Sequence, residues 1–140
     1  MGESRTVLLV EDEIEFRDAI MFVLRRHGYA VSPAATVSEA EVRLASSLPD
    51  LLLVDMMLTG QSGFQILRLV KERSDGRVPA IMMSGYVSVA HQDYALAAGA
   101  ELFLPKPFKL TQLLEATDSL CPLPRSTSVR PVIPTVATCS

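Results

Sequence analysis

Short apolar runs alternate with stretches of helical period along most of the chain, and the alternation repeats five times before the composition changes near Cys121. Such alternation is typical of βα units that build a parallel sheet. The predicted strands lie at residues 6–10, 29–33, 51–54, 79–83 and 101–104. The third run is apolar at every position, which predicts a central strand covered by helices on both faces. We therefore expect an α/β fold.

The stretches between the predicted strands carry signals for helix ends. Gly28 and Gly99 follow two helical stripes and predict left-handed C-terminal ends. Thr36 and Glu39 have the spacing of a capping box at the start of the second helix. The fourth helix is predicted at 87–98, and because its apolar stripe consists mostly of alanines, we expect it to be loosely held.

Composition and length indicate one soluble domain at 1–121, because 49% of the 140 residues are apolar and 21% are charged. Prolines, serines and threonines dominate 122–140, which predicts a linker or disordered tail. No apolar run approaches the roughly 20 residues of a membrane span. There is no basic and apolar leader either, so we expect a cytoplasmic protein without membrane contact.

The charge and the cysteine content limit which binding partners and which disulfide or metal cross-links are expected. A net charge of −3 gives no reason to expect nucleic acid binding by this domain. Cys121 and Cys139 have neither the number nor the spacing for a disulfide framework or a zinc site. His27 and His91 have no partner at metal-ligand spacing and are interpreted as surface residues.

Polar residues follow four of the predicted strands at the point where each ends. They are Glu11 and Asp12 after the first, Asp55 after the third, Ser84 after the fourth and Lys106 after the fifth. Because ligands of open parallel sheets bind beyond the carboxyl ends of the strands, we expect these side chains to converge. Crowded carboxylates repel one another, and a hard cation such as Mg²⁺ relieves that repulsion.

A carboxylate beside such a cation can attack phosphorus. Asp55 has the central position for that attack, Glu11 and Asp12 would hold the metal, Ser84 would donate a hydrogen bond, and Lys106 would pair with the phosphoryl charge. Each residue alone has a plainer interpretation: the acidic pair as a helix cap, Ser84 as a turn residue and Lys106 as a surface charge. The conjunction of all five favours a site.

The motifs VLLVEDE, LLLVDMMLTGQSG, IMMSGY and GAELFLPKPF carry these residues, and together they resemble the receiver (CheY-like) domain of two-component response regulators. The resemblance extends from Thr6 to about Leu120. It implies a flavodoxin-like, doubly wound sheet of five parallel strands in the order 2-1-3-4-5 with five helices. It also implies that the Met57 carbonyl completes a site for Mg²⁺ (Mn²⁺ is possible), and that the Lys106-Pro107 bond is cis.

The resemblance further implies a phosphorelay in which a sensor histidine kinase or histidine phosphotransfer protein donates a phosphoryl group to Asp55. The domain would catalyse only its own phosphorylation and dephosphorylation. Ser84 would then move toward the phosphoryl group and Phe103 would turn inward. The fourth helix, fifth strand and fifth helix would present the changed surface to an output domain or partner, with the protein as a monomer or phosphorylation-dependent dimer.

Some positions depart from the usual pattern of that family. Thr59 stands where a proline is usual, which removes some rigidity from the loop after Asp55. Phe103 lacks the hydroxyl of a tyrosine. Met57 and Tyr86 are bulky residues at the two positions that modulate water access to the acyl phosphate. Slow self-dephosphorylation is therefore expected, and a short lifetime, unchanged in Tyr86→Ala, would contradict it.

Three other functions are compatible with parts of this pattern. An aspartate-nucleophile phosphohydrolase also places an Asp after a parallel strand, but it usually has a second aspartate at the position of Met57. A phosphorylation-independent binding module could keep the fold without the chemistry, although the intact set of site residues argues against it. A phosphate sink would accept the phosphoryl group without changing its surface.

Overall fold

A single parallel sheet forms the centre of the molecule in the computed structural model, which describes residues 5–85 and 88–124. Its strands are β1 (Thr6–Val10), β2 (Ala30–Ala34), β3 (Leu51–Asp55), β4 (Ala80–Ser84) and β5 (Leu102–Pro105). They lie in the order β2-β1-β3-β4-β5, and every pairing is parallel. The predicted order and fold class are therefore confirmed.

Five helices connect or follow these strands, as predicted. They are α1 (Ile14–Arg26), α2 (Val37–Ser46), α3 (Phe64–Ser74), α4 (Val89–Ala97) and α5 (Leu110–Leu120). Gly28 and Gly99 have φ values of +112° and +115° at the predicted helix ends. The Thr36 side chain accepts a hydrogen bond from the Glu39 N–H, as the capping box requires, but the Glu39 carboxylate accepts from the Ala35 N–H.

The side chains of the sheet alternate between two apolar layers. Leu52 and Val54 of β3 pack with residues of α2, α3 and α4, whereas Leu51 and Leu53 pack with residues of α1 and α5. All residues of β3 are buried. Burial of one such side chain contributes about 1.5–3 kcal/mol. The buried centre of the sheet is thus a rigid support for the residues that follow the carboxyl ends of its strands.

The fourth helix has a small part in this core. Its buried residue is Ala95, while Val89, Tyr94 and Leu96 are exposed. Because an alanine side chain removes little apolar area from water, tertiary packing stabilises α4 less than the other helices. The small buried apolar area of α4 supports the prediction that this helix is loosely held.

Two features were not expected from the sequence. A two-stranded antiparallel hairpin, Met57–Leu58 with Gln61–Ser62, follows β3. Leu123 packs against the layer of α1 and α5, and the Arg5 side chain donates to the Pro122 carbonyl over 3.3 Å. The chain thus stays on the domain to the end of the described residues. Within 5–85 and 88–124, none of the helices has the length and apolar character to cross a membrane.

Candidate functional site

The polar residues predicted to converge follow strands that end at one edge of the sheet. Asp55, the last residue of β3, pairs with Met83 of β4. The backbone N–H of Lys106 donates to the carbonyl of the next β4 residue, Ser84, over 2.7 Å. Glu11 comes directly after β1, the other neighbour of β3. The register of the sheet therefore places these residues at the same level.

Three carboxylates form the centre of this edge. Glu11, Asp12 and Asp55 each offer one oxygen, and these oxygens all lie within 4.8 Å of one another. Glu11 is 1% exposed and Asp55 5%, whereas Asp12 is partly buried. Buried carboxylates lose hydration and repel one another, so the cluster requires positive charge.

Lys106 supplies part of that positive charge. Its Nζ lies 2.5 Å from Asp55 Oδ2 and 3.1 Å from Glu11 Oε1. Burial alone would lower the pKa of Lys106, but hydrogen bonds and charge from the two carboxylates outweigh it, and the pKa is raised. The ammonium group is therefore charged at neutral pH. The Lys106-Pro107 bond is cis, as expected.

An aromatic pair next to Lys106 belongs to the site but was missed by sequence reasoning. The Lys106 Nζ lies 4.6 Å from the centre of the Phe16 ring, within the range of a cation–π contact. Phe16 in turn packs against Phe108, with 5.5 Å between the ring centres. In the sequence Phe16 is one member of an apolar stripe at helical spacing, and such a stripe does not reveal which long-range partner covers each residue.

Hydrogen bonds fix both oxygens of the Asp55 carboxylate. Oδ1 accepts from the Met57 N–H over 2.9 Å, while Oδ2 faces Lys106. The neighbouring carboxylate of Glu11 accepts from the Glu13 N–H over 3.1 Å. The Arg17 side chain donates to the Glu11 carbonyl and thereby supports the loop after β1. These hydrogen bonds thus fix the orientation of the Asp55 and Glu11 carboxylates.

Burial, together with the charges and hydrogen bonds of the site, brings the pKa of one carboxyl group close to neutral pH. Burial, followed by the charge of Asp55 and a hydrogen bond with it, raises the pKa of Glu11 to about 7. The Glu13 N–H and Lys106 act in the opposite direction without cancelling the shift. Without a divalent cation, Glu11 therefore exchanges its proton within the physiological range.

We predict that this proton couples the stability of the metal-free protein to pH. Since the pKa of Glu11 is higher in the folded state than in the unfolded state, its stabilising contribution is complete below about pH 4.5 and is lost as the pH rises through about 7. Unfolding experiments in EDTA should show a loss on the order of 1 kcal/mol per pH unit within that window.

Mg²⁺ should reverse this trend, because its binding displaces the proton and becomes tighter as the pH rises. Glu11→Gln provides the control, since it cannot titrate and should flatten the pH dependence of stability in EDTA. An equally steep dependence in Glu11→Gln would show that another group carries it.

Three of the remaining predicted site residues, Ser84, Phe103 and Met57, belong to the described part of the chain. Ser84 is buried at the end of β4, and Phe103 of β5 is partly buried against the layer of α2, α3 and α4. Met57 begins the hairpin with its side chain 54% exposed. Tyr86 lies outside the described residues. The roles of Ser84 and Phe103 in switching, and of Met57 and Tyr86 in setting the lifetime, stay predictions.

The donor set fits a hard divalent cation. All three side chains offer carboxylate oxygen, which Mg²⁺ prefers and Mn²⁺ also accepts. Two of the three carboxylates are buried and so have an energetic need for a counter-charge. Glu11, Asp12 and Asp55 are therefore the residues that would hold the cation.

The fold and the site together define a class of α/β domain, in which a doubly wound sheet has an acidic cluster and a lysine beyond its strand ends. Comparison with known proteins identifies the family within this class. Residues 7–118 match the family model described as the response regulator receiver domain. The chain belongs to this family, whose members are signalling domains of two-component systems. The resemblance inferred from the motifs is confirmed.

Among curated relatives, the phosphate regulon transcriptional regulatory protein PhoB of Klebsiella pneumoniae is 33% identical over 112 residues. These make up 79% of this chain and 49% of PhoB. The response regulator MprA of Mycobacterium bovis is 33% identical over 111 residues, 79% of this chain and 48% of MprA. The chain thus spans about half the length of the curated relatives it matches.

Solved structures agree with this assignment. The chemotaxis protein CheY4 of Vibrio cholerae is 27% identical, with a TM-score of 0.78 over 84% of this chain and 98% of CheY4. A CheY-like receiver domain protein of Methanospirillum hungatei is 28% identical, with a TM-score of 0.76 over 83% of this chain and 92% of that one. The flavodoxin-like fold is therefore shared with these receivers.

Proposed function

We propose that this receiver domain accepts a phosphoryl group on Asp55 in the presence of Mg²⁺ and thereby switches one of its surfaces. The observation that carries the proposal is the setting of Asp55. Its carboxylate is buried at the end of the central strand, within 4.8 Å of two further carboxylates and 2.5 Å from the ammonium of Lys106. An aspartate without a ligand role is costly in such a place.

The donor would be a phosphohistidine of a sensor histidine kinase or a histidine phosphotransfer protein. An oxygen of Asp55 forms the new bond to phosphorus while the P–N bond breaks, and the electron pair of that bond returns to the imidazole of the donor. Lys106 stays beside the phosphoryl oxygens and balances their charge. A cation held by Glu11, Asp12 and Asp55, with the Met57 carbonyl as a further ligand, would supply additional charge neutralisation.

The switch would follow from new hydrogen bonds to the phosphoryl group. Ser84 donates one of them, and Phe103 moves inward. Hydrogen bonds to charged groups contribute about 1.5–3 kcal/mol each, and driving a two-state equilibrium from 1:99 to 99:1 needs about 5.5 kcal/mol. Two such contacts supply about 3–6 kcal/mol, a range whose upper end reaches this requirement.

The surface formed by α4, β5 and α5 is the proposed output face. Helix α4 buries little and can move at low cost, and it is the first helix after Ser84 along the chain. An output domain outside this chain, a partner protein or a second copy of the domain could read the face. The chain covers about half of PhoB and MprA, which is compatible with an output domain elsewhere in a longer protein.

The test is incubation of the wild-type protein with a small phosphoryl donor, with Mg²⁺ and with EDTA, followed by intact-mass measurement. We expect the mass to rise by one phosphoryl group only with Mg²⁺. Amide chemical shifts should then change at Ser84, Phe103 and along α4. No gain in mass would refute the proposal, and a gain without shifts beyond the site would indicate a phosphate sink.

A further inference from the structure

Thr59 binds the carboxylate of Asp12. Its backbone N–H and its hydroxyl both donate to Asp12 Oδ2, and the N–H bond spans 2.7 Å. The two residues are 47 positions apart in sequence. The contact therefore joins the loop after β1 to the hairpin after β3.

The hairpin presents Thr59 at its tip. Gly60, the second residue of the turn, has a φ of +72°, which glycine adopts without steric cost. The base of the hairpin is closed by the Gly63 N–H, which donates to the Met56 carbonyl over 2.9 Å. Backbone bonding thus holds the base, while the bond to Asp12 holds the tip.

Asp12 is the carboxylate of the cluster that depends most on such support. Glu11 and Asp55 are buried and share the ammonium of Lys106, whereas Asp12 is only partly buried. Both hydrogen bonds from Thr59 end on the same carboxylate oxygen, Oδ2, and together they limit the rotation of the Asp12 side chain. Thr59 therefore orients the one carboxylate of the cluster that burial alone does not hold in place.

We propose that Thr59 is a positioning residue for the divalent cation, because its two donors hold Asp12 in the orientation that the bound cation needs. The inference rests on the proposed function, since it takes the three carboxylates as the cation site. A side chain that is already oriented loses less conformational entropy when its ligand binds. The same contact also keeps the hairpin that carries Met57 close to Asp12.

The variants Thr59→Ser and Thr59→Val separate the hydroxyl from the shape of the side chain. Serine keeps both donors and loses a methyl group, whereas valine keeps the branched shape and the backbone N–H but loses the hydroxyl. The full chain is titrated with MgCl₂ alone, without a phosphoryl donor, and the amide shifts of Asp12, Asp55 and Met57 are followed by NMR. We expect Thr59→Ser to stay within about twofold of the wild type and Thr59→Val to bind Mg²⁺ about 10-fold more weakly.

Two outcomes would overturn the positioning role alone. Equal or tighter Mg²⁺ binding by Thr59→Val would show that the hydroxyl is neutral or competes with the cation. Equal weakening in both variants would show that the shape of the side chain, rather than its hydroxyl, matters. In either case, phosphorylation of the wild type at Asp55 would leave the proposed function intact. Absence of Mg²⁺ binding by the wild type would instead refute both the positioning role and the metal requirement.

Discussion

Asp55→Asn is expected to abolish the gain of one phosphoryl group that the wild-type protein shows with a small phosphoryl donor and Mg²⁺. Asparagine has the shape of aspartate and can still accept the Met57 N–H bond at Oδ1. It has no carboxylate to attack phosphorus, and it places a neutral amide beside Lys106. The loss should therefore be complete rather than partial, while the fold is retained.

The same substitution should change the neighbouring carboxylate in a measurable way. The charge of Asp55 and its hydrogen bond are the second and third causes that raise the pKa of Glu11. Their removal should bring that pKa down toward 4.5, so the dependence of stability on pH in EDTA becomes shallower. Unchanged far-ultraviolet circular dichroism would confirm that Asp55→Asn is folded.

Asp93→Asn provides a matched control, because it makes the same change at an exposed position of α4. It should be phosphorylated like the wild type. If Asp55→Asn still gained a phosphoryl group, peptide mapping would identify the acceptor. A label on Glu11 or Asp12 would refute the assignment of Asp55 while leaving the cluster as the reactive centre.

The order of elements could be predicted because each signal is local. The apolar run of β3, the helix ends at Gly28 and Gly99 and the polar residues beyond the strands all lie within short windows of sequence. Parallel strands then bring their carboxyl ends to one edge, so local signals were enough to predict the convergence of Asp55 and Lys106. The cis Lys106-Pro107 bond came only from the resemblance to receivers.

The contacts that the sequence did not reveal join residues that are far apart along the chain. The Phe16 ring lies against an ammonium group from the other end of the domain, and Thr59 reaches Asp12 across 47 positions. His27 is exposed as predicted, but its ring also lies 2.9 Å from Asp118 of α5. Such pairings depend on which loops and helix faces the fold brings together, and hydrophobic period alone does not specify them.

Gly63→Ala is expected to destabilise the domain strongly, although it adds only one methyl group near the site. A Cβ at position 63 would lie 2.0 Å from the Asp55 carbonyl oxygen and 3.0 Å from Val54 Cγ2. The backbone of Gly63 has φ −65° and ψ −15°, which alanine adopts readily, so the obstacle is space alone. Because the overlapping atom belongs to the backbone of β3, no side-chain rotation can relieve it.

The strand or the start of α3 must therefore move, and we expect a loss of about 3 kcal/mol in the free energy of unfolding, at the upper end of the usual cost of overpacking. Gly85→Ala is the matched control, because its added Cβ meets no atom within 4 Å among the described residues other than its chain neighbours. It should change stability by less than about 0.5 kcal/mol. Urea unfolding of the two variants and the wild type measures the difference.

Equal stability of Gly63→Ala and the wild type would mean that β3 and α3 can separate without cost. Asp55, the last residue of β3, would then be held less rigidly than its hydrogen bonds indicate. The reason is that the close packing of Gly63 against the Asp55 carbonyl fixes the end of β3 relative to the start of α3.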